Sequence, residues 1–160
     1  HKTFQQELDS FKEENVKVKV IGYKDRLPDK VLHSINKLTS VTKDNTGMQL
    51  NIALDYGGRG EIVESAKKII KDVENNNLEI DELTENKFSE YLYTAGQADV
   101  DLLIRPGGEK RISNFLLWQV AYSELYFTDT YWPDFGEVEF KSAIKEYQRR
   151  NRRFGGIQGK

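Results

Sequence analysis

The spacing of apolar residues along the chain predicts a succession of strands and helices. Four segments have apolar residues at every second position or in a short unbroken run, as strands do. These predicted strands span residues 16–21, 48–54, 100–105 and 125–127. The third is almost wholly apolar before Arg105, which is typical of a strand buried in a parallel sheet.

Apolar residues three or four positions apart predict helices between and around these strands. The predicted helices span residues 2–14, 28–38, 61–74, 84–93, 114–122 and 136–150. In the third of them one stripe carries the apolar residues Ile62, Ala66, Ile69, Ile70 and Val73. Alternating strands and helices predict an α/β fold, a mostly parallel sheet flanked by helices, in a single domain over 1–160.

Composition narrows the classes of function. The chain has 160 residues, of which 38% are hydrophobic and 31% charged, and this excludes a disordered or low-complexity protein. Its net charge of −2 does not indicate nucleic-acid binding. Cysteine is absent, and the two histidines, His1 and His33, cannot form a multi-histidine site. A metal would be held by carboxylates, which favours Mg²⁺.

The two ends of the chain carry separate expectations. Phe4, Leu8 and Phe11 already have helical spacing, and neither a Met nor an apolar signal core precedes them. We therefore expect the chain to be a portion of a longer protein. At the other end, the basic run 149–153 predicts a solvated helix end, with a nucleic-acid tail as the lesser alternative.

Two glycine-containing loops follow predicted strands, at the sheet edge where ligands of α/β proteins bind. The first is 55–59 and the second is 105–113. The second places Arg105, Arg111 and the Ser113 hydroxyl, together with a lysine, around two glycines. Guanidinium groups bind phosphate oxygens, and glycines let backbone N–H groups approach an anion. The loop predicts a phosphate or diphosphate site, the alternative being a capped loop with solvated charges.

Glu124 is a carboxylate in an otherwise apolar stretch. If buried it needs an arginine, a metal or water as partner. A salt bridge is the simpler interpretation, and a Mg²⁺ ligand beside the phosphate site is the alternative. Asp55 and Asp101 flank strand ends and are lesser catalytic candidates, because loop hydrogen bonding explains such positions more often. Ser113 with the residue after it could also cap the helix predicted over 114–122.

At these residues a resemblance becomes specific. The segment DLLIRPGGEKRISNFLLWQVAYSELYFTDTYWPD, residues 101–134, closely resembles the C-terminal signature of the cis-prenyltransferases, a family that includes the bacterial undecaprenyl diphosphate synthases. The match continues through LNIALDYGGRGEIV and the terminal RRNRRFGG. It covers essentially the whole chain.

The resemblance implies a homodimeric α/β enzyme built on a parallel sheet. Such an enzyme uses Mg²⁺ to condense isopentenyl diphosphate units onto farnesyl diphosphate, which gives undecaprenyl diphosphate for the lipid carrier of cell-wall synthesis. It further implies a cytoplasmic protein with a peripheral membrane contact for product release, and no nucleic-acid partner.

The resemblance also implies roles for individual residues. It implies that Arg105 and the segment Arg111-Ile112-Ser113 bind the diphosphate of isopentenyl diphosphate, with Glu109 in the same loop. Glu124 is implied as a Mg²⁺ ligand. Further positions are implied in the tail that approaches the partner subunit's site and in the wall of the product tunnel: Arg152, Arg153, Gly155 and, for the wall, Met48.

The chain also departs from the family. The family's N-terminal Asp-Gly-Asn loop, with its catalytic aspartate and its grip on the allylic diphosphate, does not occur in this sequence, so no catalytic residue is assigned. Asp55 and Pro106 stand where bacterial members often have Asn and Thr. We expect the chain alone to be inactive and poorly stable.

Three interpretations remain open: the C-terminal portion of an active cis-prenyltransferase, a non-catalytic accessory subunit of such an enzyme, and an unrelated phosphate- or nucleic-acid-binding module. The charged residues of the second loop favour the first, because an accessory subunit does not need them.

Overall fold

Two pairs of parallel strands organise the chain. A computed structural model describes the backbone of residues 4–150 and the side chains of residues 8–150. Contacts divide the chain into two compact units, residues 1–95 and 96–160. Each unit contains one parallel strand pair. The parallel, helix-flanked α/β fold predicted from the sequence is confirmed, while the single domain over 1–160 stays a prediction.

The first unit contains two strands and four α-helices. They are α1 (Phe4–Glu13), β1 (Lys17–Ile21), α2 (Asp29–Val41), β2 (Gln49–Ala53), α3 (Gly58–Glu74) and α4 (Glu85–Ser89). Strands β1 and β2 run parallel in the register Lys17↔Gln49 to Ile21↔Ala53. A short 3₁₀-helix, Ile80–Glu82, precedes α4.

The core of the first unit lies where α1 and α2 pack on β1. Buried apolar side chains from these elements include Leu8, Val18 and Ile35. The fully buried Thr42 joins the end of α2 to the strand: its Oγ1 accepts from the Val18 N–H at 3.1 Å and donates to the Leu38 carbonyl at 2.9 Å. A polar side chain can be buried there because both of its hydrogen-bonding roles are used.

The second unit contains the other strand pair and one longer helix. Its elements are β3 (Leu102–Arg105), β4 (Glu124–Phe127) and α5 (Glu137–Arg149), with a short 3₁₀-helix at Trp132–Asp134. Strands β3 and β4 are parallel, with Leu102 opposite Glu124 and Arg105 opposite Phe127. Parallel strands place their carboxyl ends at one edge, so the loop after β3 and the segment after β4 start side by side.

One predicted helix does not form. Residues 114–122 adopt turns, and the helix predicted there is wrong. Ser113, Asn114 and Leu116 have φ values of 47°, 64° and 48°, which no right-handed helix accommodates. The predicted capping role of Ser113 therefore fails with the helix. The helix predicted over 84–93 is also shorter, since α4 ends at Ser89.

The buried face of α3 also differs from the predicted apolar stripe. Glu61, Ser65 and Ile69 form the buried line, whereas Ile70 is 57% exposed. Ser65 Oγ donates to the Tyr91 carbonyl at 3.0 Å. Glu61 and Ser65 can therefore be buried, because both have hydrogen-bond partners inside the protein. Among the described residues no helix combines the length and the apolar character needed to cross a membrane.

Candidate functional site

The loop after β3 is closed by the side chain of Arg105. Its Nη1 donates to Ser113 Oγ at 2.8 Å and to the Arg111 carbonyl at 2.6 Å. Because Arg105 is the last residue of β3, the strand fixes the backbone position from which its side chain extends. The side chains of Arg105 and Ser113, which the sequence placed in one loop, thus bond to each other across it.

The two glycines of this loop join it to the segment after β4. The Gly107 N–H donates to the Thr130 carbonyl at 2.8 Å, and the Gly108 N–H donates to the Thr128 carbonyl at 2.9 Å. These two N–H groups are therefore already bonded to carbonyls, and the phosphate site predicted for the loop stays a prediction. The φ values of the glycines, 95° and 78°, permit the turn that anchors the loop to the segment after β4.

The charged heads of the loop face solvent. Arg111 forms an ion pair with Glu109, and both side chains are largely exposed, at 62% and 49%. Lys110 between them is exposed too. An exposed pair of this kind contributes little stability, so Arg111 can exchange Glu109 for a stronger anion at low cost. The Ser113 hydroxyl accepts from Arg105 and still has its own hydrogen to donate.

A cavity of about 210 Å³ lies beside Arg105, and its lining combines polar and apolar residues. Its lining residues are Leu103, Ile104, Arg105, Pro106, Ile112, Ser113 and Phe115. The guanidinium and the hydroxyl supply a polar end, and the remaining side chains supply an apolar wall. Such a cavity suits a small molecule that has an anionic head and a short apolar tail.

Backbone strain gathers at the same place. Ser113, Asn114 and Leu116 are three non-glycine residues in the left-handed region within four positions. Each costs about 1 kcal/mol or more, which the surrounding structure must offset. The strained turn holds the Ser113 hydroxyl against Arg105 and Phe115 at the cavity. Strain concentrated at a cavity with charged side chains is typical of a functional site.

Glu124 lies away from this loop. It begins β4 opposite Leu102, whereas Arg105 lies at the far end of β3, so the two Cα positions are separated by about 10 Å along the strands. Its carboxylate receives Arg150 Nη1 at 2.8 Å, with the two side chains 27% and 29% exposed. The salt-bridge interpretation of Glu124 is confirmed, and its role as a metal ligand stays a prediction.

Arg150 holds Glu124 through a small network. Its Nη1 also donates to the Leu125 carbonyl at 3.0 Å, and its Nε lies 3.4 Å from Glu146 Oε1. The hydrogen bond to Glu124 is the main reason that the pKa of Arg150 is raised. The network ties the end of α5 to the start of β4.

The described residues do not by themselves fit a magnesium site. Between residues 8 and 150 no three His, Cys, Asp or Glu side chains cluster as metal ligands. The one expected ligand, Glu124, is bonded to Arg150. Magnesium in proteins is held by one or two carboxylates together with substrate phosphates, and among the described residues the carboxylate expected to bind it is already paired with a guanidinium.

The loop after β2 is organised around a buried carboxylate that the sequence analysis missed. Glu61 is 1% exposed, accepts from the Tyr93 N–H at 2.7 Å, and is bonded by the Tyr56 hydroxyl. Burial raises the pKa of the Tyr93 hydroxyl. The sequence did contain a signal for this carboxylate. Glu61 lies in the first turn of α3, which begins at the glycine pair, and the helix dipole favours a negative charge there.

The remaining sequence candidates are dispersed. Asp55 lies 3.7 Å from Arg26 in an exposed ion pair, and the Asp101 carbonyl accepts the Glu124 N–H at 3.0 Å. Met48 precedes β2 and is 65% exposed, and its tunnel-wall role stays a prediction. The predicted tail contacts Arg152, Arg153 and Gly155 lie outside the described residues.

Comparison with known proteins identifies the family of this chain. The sequence profile of a prenyltransferase family, described as "Putative undecaprenyl diphosphate synthase", matches residues 1–155. An isoprenyl transferase of Listeria monocytogenes serovar 1/2a is 52% identical over 145 residues, which are 91% of this chain and 58% of that protein. One of Geobacillus kaustophilus is 54% identical over 147 residues, 92% of this chain and 57% of that protein. The chain thus spans a little over half the length of these relatives.

Solved structures show the same fold. Lavandulyl diphosphate synthase from Lavandula x intermedia, in complex with dimethylallyl diphosphate, superposes with a TM-score of 0.91 at 37% identity, covering 96% of this chain and 66% of that one. A probable undecaprenyl diphosphate synthase from Campylobacter jejuni gives a TM-score of 0.82 at 39% identity, covering 96% and 69%. On its sequence and its fold, the chain belongs to the undecaprenyl diphosphate synthase family of prenyltransferases.

Proposed function

We propose that the loop after β3 binds the diphosphate of isopentenyl diphosphate, and that the protein acts in cis-prenyl transfer onto farnesyl diphosphate to give undecaprenyl diphosphate. The observation that carries this proposal is the cavity with Arg105 and Ser113 at its polar end and apolar side chains along its wall. This combination of polar and apolar lining matches the diphosphate and the hydrocarbon part of a short prenyl diphosphate. Family membership supports the reaction class.

The residues of this loop bind and orient the substrate. The Arg105 guanidinium and the Ser113 hydroxyl donate to diphosphate oxygens, and Arg111 exchanges its pair with Glu109 for the same anion. The five-carbon tail lies against Ile112 and Phe115. Holding the double bond in place for attack on an allylic carbon lowers the entropic part of the barrier.

Magnesium and the allylic substrate extend the proposal beyond the described residues. Mg²⁺ would neutralise the leaving diphosphate. Glu124 would be the ligand from this chain, provided that its ion pair with Arg150 breaks. Since the described residues do not complete such a site, no step is assigned to the ion. The tail residues Arg152 and Arg153 are proposed as further substrate contacts.

We further propose that the protein acts as a homodimer with a peripheral membrane contact that serves cell-wall lipid synthesis. The proposal of a dimer draws on apolar side chains of the second unit that are exposed in the single chain, since a partner subunit could cover them. They are Tyr122, Leu125, Tyr131, Trp132, Val138 and Phe140.

Calorimetry with isopentenyl diphosphate tests the loop. We expect saturable binding that Arg111→Ala weakens about tenfold or more, because a charge-assisted pair is lost. The matched control is Lys145→Ala, which removes an exposed cation from α5 outside the cavity. Each variant is checked by urea unfolding, so that loss of binding is not loss of fold.

A second variant separates head from tail. Phe115→Ala removes part of the apolar wall. It should weaken isopentenyl diphosphate several-fold and leave inorganic diphosphate unchanged. If the folded wild-type chain binds neither ligand, or if Lys145→Ala weakens binding as much as Arg111→Ala, the proposed site is wrong. The result would then favour the interpretation as a non-catalytic accessory subunit.

A further inference from the structure

A second cavity lies in the first unit, along β1. Its volume is about 330 Å³, and four of its lining residues are lysines, whereas no carboxylate lines it. The lysines are Lys17, Lys19, Lys24 and Lys43. Val18, Val20 and Ile21 form its apolar floor, and Thr39 and Tyr93 complete the wall. In a chain of net charge −2, this is a local concentration of positive charge.

These lysines differ from others in the protein. Lys67, Lys87 and Lys141 each pair with a glutamate three or four positions away, at 2.7, 2.8 and 2.5 Å. Within residues 8–150, none of the four cavity lysines has an ion pair or a side-chain hydrogen bond. The four ammonium groups line one cavity and repel each other, and a bound anion lowers that repulsion.

Tyr93 adds a neutral donor to the same wall. Burial raises the pKa of its hydroxyl, so the group stays protonated near neutral pH and can donate to an anion. The ammonium of Lys68 lies 5.5 Å from the centre of the Tyr93 ring and brings a fifth positive charge close. The Thr39 hydroxyl is already bonded to the Ile35 carbonyl at 2.9 Å, so it is not counted among the donors.

We propose that this lysine-lined cavity binds a phosphate group, carried either by a free phosphate or diphosphate or by the headgroup of an anionic lipid. The shared chemistry is a compact anion held by several ammonium groups and one hydroxyl, above an apolar floor that suits the glycerol side of a headgroup. The site lies in the first unit, and the diphosphate loop lies in the second. It therefore does not depend on the proposed prenyl-transfer site.

The test uses chains that all carry Arg111→Ala, which weakens the loop after β3 as a competing anion site. A variant with Lys17→Gln, Lys19→Gln and Lys43→Gln is compared with a control that carries Lys30→Gln, Lys71→Gln and Lys145→Gln. The control loses the same three charges from exposed lysines that do not line the cavity. The probes are inorganic phosphate and diphosphate by calorimetry, and co-sedimentation with vesicles of phosphatidylcholine with or without phosphatidylglycerol.

The two sources of phosphate give different results. A free-phosphate site predicts binding that falls about tenfold in the cavity variant and is kept in the control. A headgroup site predicts binding only to the phosphatidylglycerol vesicles, falling about 100-fold in the cavity variant, since each lysine at such a surface contributes about 1 kcal/mol. If the chain binds none of these probes at low salt, or if the control falls equally, the proposal is overturned.

A single substitution keeps the test valid if the triple variant unfolds. Lys43 is exposed just after α2, so Lys43→Gln should leave the fold intact. We expect it to weaken the same binding about threefold, as the loss of one exposed cation should. Unchanged binding in a folded Lys43→Gln chain, beside unchanged binding in Lys30→Gln, would contradict the assignment of this cavity.

Discussion

Two loops of this chain share a glycine pair and differ in almost everything else. One follows β2 and contains Gly57-Gly58; the other follows β3 and contains Gly107-Gly108. The first leads directly into α3 and buries a carboxylate, Glu61, that tyrosine groups satisfy. The second leads into turns with positive φ values, and its glycine N–H groups donate to carbonyls. The charged groups of Arg111 and Lys110 are exposed to solvent.

The comparison shows that a glycine pair with nearby charged residues after a parallel strand can have either of two roles, a structural one or a ligand-binding one. A charge that is buried and fully hydrogen-bonded is costly to alter and holds the structure together. A charge that is exposed and weakly paired contributes little to stability and remains available to a ligand. We therefore expect substitutions in the first loop to change unfolding, and substitutions in the second to change binding.

The largest expected effect is that of Glu61→Ala. It leaves the Tyr56 hydroxyl and the Tyr93 N–H without their acceptor in a buried place, so the free energy of unfolding should fall by about 3 kcal/mol. Urea unfolding measures it. The control is Glu64→Ala on the same helix, whose exposed pair with Lys67 should contribute less than about 0.5 kcal/mol. Equal effects of the two variants would contradict the structural role of the first loop.

Arg105→Lys should have a smaller effect of the opposite kind. A lysine lacks the planar guanidinium whose Nη1 reaches both Ser113 and the Arg111 carbonyl and whose other N–H groups can bind a diphosphate, so isopentenyl diphosphate affinity should fall about tenfold. The free energy of unfolding should change by less than about 1 kcal/mol. The control is Arg59→Ala, which removes an arginine beside the first glycine pair. It should leave the affinity for isopentenyl diphosphate, measured by calorimetry, unchanged. Equal losses of affinity in the two variants would remove the contrast between the loops.

The smallest effect concerns pH. Burial raises the pKa of Tyr93 above its ordinary value of 10.0, so the hydroxyl ionises less readily in the folded chain than in the unfolded one. The stability that this provides is fully present below pH 10 and is lost as pH rises through the folded value. Urea midpoints at pH 9 and pH 11 should therefore differ less for Tyr93→Phe than for the wild type. An identical pH response would contradict the burial of this hydroxyl.

The elements with strong periodicity were predicted well. β1, α2 and α5 lie where apolar spacing places them, because one face of each packs on neighbours. The run 114–122 misled the prediction, since its apolar residues suit a helix while the backbone turns at Ser113 and Leu116. Nothing local announces such positive φ values in non-glycine residues. Their cost is offset by tertiary contacts such as the Arg105–Ser113 hydrogen bond across the loop.

Within the second loop, the residue types alone indicated a phosphate site, and the structure brings Arg105, Arg111 and Ser113 together. The sequence did not indicate which groups the glycine N–H groups bond, because their acceptors lie beyond β4, at least twenty residues away. It left two partners open for Glu124, and only the packing of α5 on β4 selected Arg150. Pairings between distant segments depend on packing, which residue spacing does not encode locally.

The sequence by itself determined the α/β succession, the family and the charged residues of the loop after β3, because periodicity and motif spacing are local properties of the chain. Only the tertiary structure decided that Glu61 is buried, that Arg150 neutralises Glu124, and that four lysines surround one cavity along β1. Each of these depends on which groups meet after folding, since burial and pairing set the cost or benefit of a charge.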